Sequence, residues 1–422
     1  MTERCDLAIV GAGAAGLMAA IQAARAAPGI SIVLLDGART LGAKILVAGG
    51  GRCNVTHHEV RPEDFCGGSR KAIAQVLRQL PVAATVEFFR ELGVELKREE
   101  TGKLFPVTDR ARTVLDALLR AARSAAATIR FPFRVTSVVP EEKSFQLRGE
   151  SGALVASRVI LATGGRALPK SGSDGGGYEL ARSLGHSLTP RVFPALVPLR
   201  LPEGHFLREL SGIAVEARLE VRAGSGRRLS THRGALLCTH FGISGPVVLD
   251  ASRHFLAARF ADPEAMLVAS FLPDETREDV DRELQQLGRK TLQSWLSDRL
   301  PDRLGQALAT EAGTGTPFYG NQLPRDLRRR VLELLLESVL PVAGDRGFEH
   351  AEATAGGVPL DEVRLATLES RRCPGLHLCG ELLDVDGRIG GFNFQWAWAS
   401  GTVAGRGAAA VLAGSGSERI GA

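Results

Sequence analysis

The sequence predicts an α/β protein that carries an inserted segment of different character. Residues 5–37 have the pattern strand, glycine turn, helix and second strand, and a later apolar run, residues 158–161, ends in a similar turn. Another glycine-rich strand-to-helix turn lies in residues 376–405. Between them, residues 194–353 alternate short apolar runs with charged helical stretches. Repeated strand–helix units build parallel sheets, so both ends of the chain are expected to share one sheet domain.

The composition is that of a globular chain with an excess of glycine. The 422 residues are 44% hydrophobic and 23% charged, with 49 glycines and a net charge of +5. The basic residues are scattered, which favours a soluble surface over nucleic-acid binding. The N-terminus lacks a signal-peptide pattern and no run is long enough to span a membrane, so a cytoplasmic protein is expected. Six cysteines without a CxxC pattern predict reduced thiols and no metal site.

The first unit contains the pattern GxGxxG directly after an apolar strand, Leu7 to Val10. Gly11 would permit a tight turn, Gly13 the close approach of a pyrophosphate, and Gly16 close packing of helix on strand. The helix N-terminus would offer unpaired N–H groups to the phosphates. Asp36, after the second strand, would accept a hydrogen bond from a ribose hydroxyl and disfavours a 2′-phosphate. The motif predicts a dinucleotide site without separating NAD from FAD.

The sequence also predicts secondary-structure elements and domain boundaries. Predicted helices are Leu17 to Ala27, Ser69 to Gln79, Val82 to Leu92 and Arg110 to Ala126, and predicted strands include Phe133 to Val139, Ser144 to Arg148, Ala153 to Ala156 and Arg158 to Leu161. The predicted domains are 1–193 and 354–422 for the two parts of the sheet domain and 194–353 for the insert, β-rich over 194–272, helical over 273–341 and ending in a linker, 341–353.

Two more constellations point to the ligand. The turn at Gly380-Glu381 leads into a helix near Asn393, and its acidic loop does not have the spacing of an EF-hand. A second glycine-rich turn in a chain with one dinucleotide motif implies a ligand long enough to touch both, such as FAD. Glu381 would hold a ribityl hydroxyl, and the helix N-terminus near Asn393 would face the flavin pyrimidine edge.

The stretch ILVAGGGRCNVTH poses the question of why three glycines precede Arg-Cys-Asn. The glycines would let the main chain lie against a flat ring or a phosphate with no Cβ between them. Arg52 and Asn54 would then supply donors to that ligand. Cys53 is either a redox thiol or a small packing residue, and the absence of a neighbouring resolving cysteine favours packing.

Three blocks carry a family resemblance: VGAGAAG, GAKILVAGGGRCNVTH and GELLDVDGRIGGFNFQWAWASG. The sequence resembles the bacterial family of NAD(P)/FAD-dependent flavoproteins with aminoacetone-oxidase-like and bile-acid-reductase-like members. This resemblance implies a glutathione-reductase-like, Rossmann-type FAD-binding domain with an inserted β-rich plus helical domain, and non-covalent FAD. The implied FAD contacts are Gly11, Gly13, Ala14, Ala15, Gly16, Asp36, Lys44, Gly50, Gly51, Arg52, Cys53, Asn54, Val135, Thr163, Gly164, Gly380, Glu381, Gly391, Phe392, Asn393 and Gln395.

The sequence departs from the family pattern at two of these positions. Asp36 stands where the family usually has glutamate, so the ribose contact is expected to be longer or bridged by water. Phe392 stands where tyrosine is common, which removes one hydroxyl from the site.

The chemistry expected from these features is flavin-dependent electron transfer with a small organic substrate. Any NAD(P)H would bind transiently, because no second GxGxxG unit is present, and O₂ is the other possible electron partner. His240 and Ser244 in THFGISGP are candidates for substrate-side work, with a structural histidine as the alternative, and Tyr178 is expected to pack on a helix face. A tRNA-modifying or nucleic-acid-associated flavoprotein is the second hypothesis, supported by a pI near 9.0 and a basic helix around Arg325 to Arg330. A non-catalytic flavin-binding regulator is the third.

Overall fold

A computed structural model describes residues 3–313 and 318–416 of the chain. The described residues form two compact units, one from the chain up to Pro194 and from Glu352 onward, the other from Ala195–Ala351. These boundaries differ by one and two residues from those expected from the sequence. Each unit contains its own cluster of buried apolar side chains.

The first unit is built on a sheet whose central strands are parallel. In spatial order these strands are Thr128–Arg130, Ile32–Leu35, Glu3–Val10, Gly152–Leu161 and Leu376–Leu378. Their register places Val10 opposite both Leu35 and Leu161, and Leu161 opposite Leu378. The segments that follow these strands therefore leave the sheet at one common edge, which is where nucleotides bind in folds of this kind.

One prediction about this sheet is wrong. The sequence predicts two short strands from residues 153 to 161, but Gly152–Leu161 is a single strand. Its length follows from its partner, because Glu3–Val10 pairs with it in one unshifted register between Leu154 and Leu161.

The first unit also has strands outside the parallel core. They are Thr56–His57, Phe65–Gly67, Leu96–Arg98, Lys103–Pro106, Val135–Pro140, Phe145–Gly149, Val363–Arg364, Glu369–Ser370 and Val385–Gly387, with Phe193–Ala195 and Ala353–Ala355 at the ends of the two segments. Its helices are Ala14–Ala26, Ala43–Gly51, Arg70–Leu77, Val82–Glu91, Ala111–Ser124, Gly176–Ser183 and Phe392–Gly416, with 3₁₀ turns at Pro62–Asp64, Pro169–Ser171, Leu360–Glu362 and Gly380–Leu382. The first helix begins three residues before the predicted Leu17, because Gly13 is its N-cap residue. The helix at Ala43–Gly51 was not predicted.

The C-terminal helix packs closely on the first helix through small residues. A Cβ on Gly401 would lie 2.4 Å from the carbonyl oxygen of Ala15, and one on Gly405 would lie 2.3 Å from that of Ala19. Two tryptophans of the C-terminal helix are buried and donate their indole N–H groups to main-chain oxygens, Trp396 to Gly380 and Trp398 to Val55. These contacts tie the C-terminal end of the chain to the segments at the carboxyl edge of the sheet.

The second unit is an antiparallel sheet with helices. In spatial order its strands are Ser338–Leu340, Met266–Ser270, Ala214–Arg222, Arg228–Thr239, Gly242–Ser244, Leu199–Arg200 and Gly344–Asp345. Its helices are Phe206–Glu209, Pro246–Ala261, Arg277–Gln285, Leu292–Ser297, Asp302–Ala312 and Arg325–Leu336, with a 3₁₀ turn at Gly320–Gln322. Residues 344–345 pair with residues 199–200, so the predicted linker over 341–353 in fact begins inside the sheet. None of the helices in the described ranges combines the length and apolar character needed for a membrane span.

Candidate functional site

The loop after the first strand has the geometry of a phosphate-binding turn. Gly11 has φ +106°, and a Cβ there would lie 2.4 Å from the carbonyl oxygen of Ala162. A Cβ on Gly16 would lie 1.9 Å from the carbonyl oxygen of Gly11. A Cβ on Gly13, by contrast, meets no described atom within 4 Å. Packing therefore requires the first and third glycines, whereas the second keeps the helix N-terminus open, where Ala14 and Ala15 begin the first turn.

Asp36 fixes this loop from the neighbouring strand. Its Oδ2 accepts a hydrogen bond from the N–H of Ala12 at 2.7 Å, and its Oδ1 accepts one from the N–H of Ala38 at 2.7 Å. Burial raises the pKa of Asp36, and the two main-chain bonds oppose that rise. A ribose contact at Asp36 would use the remaining lone pairs of a carboxylate that already holds the glycine loop.

The three consecutive glycines bend the helix Ala43–Gly51 out of the α conformation. Gly49, Gly50 and Gly51 all have left-handed φ values, of +58°, +69° and +85°. A Cβ on Gly49 would lie 2.8 Å from the ring of Phe105, whereas one on Gly50 meets no described atom within 4 Å. The main chain at Gly50 is thus bare, a property that suits a flat ring or a phosphate.

Arg52 is held on the hairpin beside this loop. Its Nη1 donates to Oε1 of Glu99 at 2.6 Å and lies 3.6 Å from Oδ1 of Asp109. Its guanidinium also lies 4.0 Å from the ring centroid of Phe105. The sequence did not reveal these partners, and a direct contact of Arg52 with FAD stays a prediction.

Cys53 and Asn54 are both buried behind the glycine loop. Cys53 has φ +62°, and desolvation raises the pKa of its thiol to about 12, so the thiol is neutral and a poor nucleophile near neutral pH. Asn54 is buried, and its Oδ1 has no hydrogen-bond partner among the described atoms. This geometry supports packing for Cys53 and leaves Asn54 with an acceptor for a ligand.

We expect iodoacetamide at pH 8 to label the half-buried Cys66 well before Cys53. A thiol with a pKa of about 12 is ionised at only about one part in 10⁴ at that pH. Peptide mass spectrometry over time measures both rates in the folded protein.

The Cys53→Ala variant should retain its flavin and its rate of anaerobic flavin reduction. A variant that retains flavin but no longer undergoes this reduction would instead assign a redox role to the Cys53 thiol.

Lys44 and Glu381 meet at the sheet edge although they are 337 residues apart in sequence. Lys44 Nζ donates to Glu381 Oε2 at 2.6 Å, and the two side chains are 26% and 19% exposed. The other carboxylate oxygen, Oε1, is buried and has no hydrogen-bond partner in the described part of the chain. A Cβ on Gly165 would lie 2.9 Å from that oxygen.

The strand Gly152–Leu161 leads into Thr163 and Gly164 at the same edge. Gly164 has φ +74°, and a Cβ there would lie 2.5 Å from Oγ of Ser173. Ser173 is buried, and its Oγ has no partner within the described residues. The sequence did not single out Ser173, so this hydroxyl was missed as a site group. Val135 is buried at the start of the strand Val135–Pro140.

The C-terminal turn at Gly391 lies against the strand that follows the GGGRCN loop. Gly391 has φ +96°, and a Cβ there would lie 2.6 Å from the main chain of Thr56. Phe392 is fully buried and stacks on the ring of His57, with centroids 5.0 Å apart. The structure therefore brings the second and third sequence blocks together. His57 is a further residue that the sequence analysis missed.

The two predicted amide contacts of this turn have partners within the protein. Asn393 exchanges two hydrogen bonds with the main chain of Gly387, at 2.8 and 2.9 Å. Gln395 Nε2 donates to the carbonyl of Leu80 and to Thr85 Oγ1, and its Oε1 accepts from Thr56 Oγ1 at 2.7 Å. The side chains of Asn393 and Gln395 thus shape the site, and their contacts with FAD remain predictions.

The substrate-side candidates lie in the second unit. His240 is exposed, and its carbonyl accepts a hydrogen bond from Arg208 Nε at 2.8 Å. Ser244 ends a short strand just before the helix Pro246–Ala261, and that helix begins with proline at its first position, which suits a residue without an N–H group. Tyr178 is buried in the first unit, where its hydroxyl lies 3.5 Å from the carbonyl of Gly356.

The set of groups at the sheet edge fits FAD. Asn54 Oδ1, Ser173 Oγ and Glu381 Oε1 are buried and have no hydrogen-bond partner among the described residues. The open helix N-terminus at Gly13 suits a pyrophosphate, and the buried oxygens suit the hydroxyl and N–H groups of a ribityl chain and a flavin ring. In the described ranges, His, Cys, Asp and Glu side chains form no group of three or more that could hold a metal ion.

Comparison with known proteins places this chain in a family. Residues 5–407 match the model of the HI0933-like protein Rossmann domain. The chain is 36% identical over 408 residues to the 3-dehydro-bile acid delta(4,6)-reductase of Clostridium scindens, covering 96% of this chain and 98% of the relative. It is 31% identical over 401 residues to the ribosomal RNA dihydrouridine synthase of Escherichia coli, covering 94% and 96%.

Solved structures agree with this fold. A flavocytochrome c3 fumarate reductase in its open conformation matches with a TM-score of 0.52 and 17% identity, covering 97% of this chain and 78% of that one. The quinol fumarate reductase subunit FrdA of E. coli matches with a TM-score of 0.51 and 17% identity, covering 100% and 74%. The chain belongs to the HI0933-like Rossmann family and is an FAD-binding flavoprotein oxidoreductase.

Proposed function

We propose that this protein is an FAD-dependent reductase of a carbon–carbon double bond conjugated to a carbonyl group. The observation that carries the proposal is the chemistry common to two relatives that align along nearly the whole chain. A 3-dehydro bile acid with double bonds at positions 4 and 6 is a conjugated ketone, and uridine becomes dihydrouridine when the double bond next to its carbonyl is reduced. A bound FAD supplies the hydride chemistry that both reductions need.

The protein would contribute binding, orientation and one proton. Reduction adds a hydride to the far carbon of the conjugated double bond and a proton to the carbon beside the carbonyl. We propose His240 and Ser244 as the candidates for holding the carbonyl oxygen or delivering that proton, because both carry exchangeable protons and stand in one short segment. The two electrons would come from NADPH or NADH, bound transiently at the flavin.

Charge favours a free small molecule over RNA as the substrate. Residues 195–351 contain 20 arginine and lysine residues against 21 aspartate and glutamate residues, so the inserted unit carries no basic excess. Within its basic helix, Arg328 pairs with Asp281 at 2.7 Å and Arg329 with Glu333 at 3.2 Å. A surface that tracks RNA phosphates usually concentrates basic side chains.

A second candidate function is reduction of uridine in ribosomal RNA. It is supported by the 31% identity to the E. coli rRNA dihydrouridine synthase and by 30% identity to that of Haemophilus influenzae over 95% of this chain. The basic excess of the whole protein, +5, is consistent with an RNA partner.

Anaerobic stopped-flow kinetics would test the proposed reaction. We expect NADPH or NADH to bleach the oxidised flavin, and a steroid 4,6-dien-3-one or 2-cyclohexenone to restore its absorbance while the double bond disappears. Restoration by dihydrouridine-free ribosomal RNA alone, with a steep salt dependence, would favour the second candidate. Reduction by an amine and reoxidation only by O₂ would contradict both reductase proposals and assign an oxidase.

A further inference from the structure

We propose that Lys44 is a positioning residue, whose ammonium fixes Glu381 so that Glu381 Oε1 accepts a hydrogen bond from the ribityl chain of FAD. The proposal rests on FAD being the cofactor of this site. The family resemblance implies a direct contact between Lys44 and FAD, but the geometry points to an indirect role. Lys44 Nζ is already within 2.6 Å of Glu381 Oε2.

The main chain of Gly380, the residue directly before Glu381, is held from two sides. The N–H of Gly380 donates to Ser400 Oγ at 3.0 Å, and the carbonyl of Gly380 accepts from Trp396 Nε1 at 3.1 Å. A Cβ on Gly380 would lie 2.9 Å from that of Ala15, so the turn rests on the first turn of the helix that the phosphates would meet. The Cα of Glu381 is therefore fixed relative to the dinucleotide loop.

The side chain of Glu381 still has three rotatable bonds, and Lys44 removes that freedom. Salt-bridged at Oε2, the carboxylate keeps Oε1 buried beside Gly165, where no described group satisfies it. Thr354 Oγ1 also borders Gly165, where it accepts from the N–H groups of Arg166 and Ala167 at 2.8 and 3.0 Å, but among the described residues it makes no hydrogen bond to Glu381 Oε1. A buried carboxylate oxygen without a donor is costly unless a ligand supplies one, and a ribityl hydroxyl is a donor of the right kind.

The test compares FAD with ADP, which contains the adenosine and pyrophosphate but lacks the ribityl chain. Full-length protein freed of flavin is titrated with each ligand by calorimetry. We expect Lys44→Met to weaken FAD binding at least tenfold and to leave ADP binding within twofold of wild type. Because Lys44 acts through Glu381, the double variant Lys44→Met/Glu381→Gln should bind FAD within twofold of Glu381→Gln alone.

Two further variants distinguish the loss of the positive charge at residue 44 from a nonspecific effect of replacing a lysine. Lys44→Arg keeps the cation and should recover most of the FAD affinity, whereas Lys71→Met, at an exposed lysine, should change nothing. The proposal is overturned if Lys44→Met weakens FAD binding and ADP binding equally, or if it leaves FAD binding unchanged. It is also overturned if Lys44→Met weakens FAD binding by the same factor in the Glu381→Gln background as in wild type. Wild-type protein that binds neither FAD nor ADP would instead overturn the cofactor assignment itself.

Discussion

Gly13→Val should leave the protein folded and remove its ability to retain FAD. The main chain at Gly13 has φ −80° and ψ −167°, which any residue can adopt, and a Cβ there meets no described atom within 4 Å. The valine methyl groups would therefore project into open space in front of the helix N-terminus, where a pyrophosphate would have to lie. We expect FAD affinity to fall about 100-fold or more, equivalent to about 2.7 kcal/mol at 25 °C.

Gly16→Val provides the contrast that makes this prediction specific. A Cβ on Gly16 would lie 1.9 Å from the carbonyl oxygen of Gly11, so this variant should lose FAD because the strand and the helix no longer pack. Flavin content after gel filtration and the unfolding midpoint, measured on both variants, separate the two cases. Gly13→Ala serves as the mild control, with weaker binding and an unchanged fold. A Gly13→Val protein that keeps full flavin occupancy would contradict the assignment of the loop.

The sequence was sufficient to predict the tight turn at Gly11 and the close packing at Gly16 because both features are local. Both depend on residues within one strand–helix unit, and the spacing of the glycines indicates them directly, whereas the start of the helix was predicted three residues too late. The start of the helix at Pro246 was predictable for the same reason. Turns and helix starts are determined by residues only a few positions away in the sequence, so a short sequence pattern predicts them.

Side-chain partners that come from distant parts of the chain leave no such pattern. Lys44 meets Glu381, and Gln395 meets Thr56, only because two ends of the chain fold onto one sheet. The sequence predicted that several of these side chains contact the ligand. It could not show that the same side chains are already hydrogen-bonded to other groups of the protein. The long strand Gly152–Leu161 was split in the prediction for a related reason, since its pairing with Glu3–Val10 sets its length.

Glu362→Gln should destabilise the protein by about 3 kcal/mol, because the amide NH₂ that replaces one carboxylate oxygen cannot accept the hydrogen bonds which that buried oxygen accepts. Glu362 is buried, and its carboxylate accepts hydrogen bonds from His186 Nδ1 at 2.7 Å and from Ser187 Oγ at 2.8 Å. Arg372 adds a third contact at 3.3 Å. Since the network joins residues 186–187 to residues 362–372, its loss should loosen the contact between the two segments of the first unit.

Urea unfolding followed by tryptophan fluorescence, at fixed free FAD, measures this loss. Glu179→Gln is the matched control, because Glu179 has the same charge and lies 2.8 Å from Arg182, but its side chain is 72% exposed. We expect the control to change the free energy of unfolding by less than about 0.5 kcal/mol. Equal effects for the two variants would show that the buried network adds nothing beyond an ordinary surface ion pair.

Ser370, His186 and Glu362 are arranged like the triad of a hydrolase, but their hydrogen bonds indicate a pH-sensitive structural role. Ser370 Oγ accepts from the N–H groups of Arg372 and Cys373, so its own proton points to His186 Nε2, 2.8 Å away. A histidine that accepts at Nε2 and donates from Nδ1 is neutral. All three side chains are buried, which denies a substrate access to the hydroxyl.

This arrangement predicts a loss of stability in acid that depends on His186. Burial lowers the pKa of His186 below its ordinary value of 6.5, although hydrogen bonding to Glu362 opposes that shift. The unfolded chain therefore binds a proton at His186 more readily than the folded chain, so stability is fully present above pH 6.5 and is lost as the pH falls below it. His186→Asn should be less stable than wild type at pH 7.5 but should lose less stability between pH 7.5 and pH 5. Parallel losses in both proteins would mean that another group controls the acid transition, because a residue that cannot titrate cannot contribute to the slope.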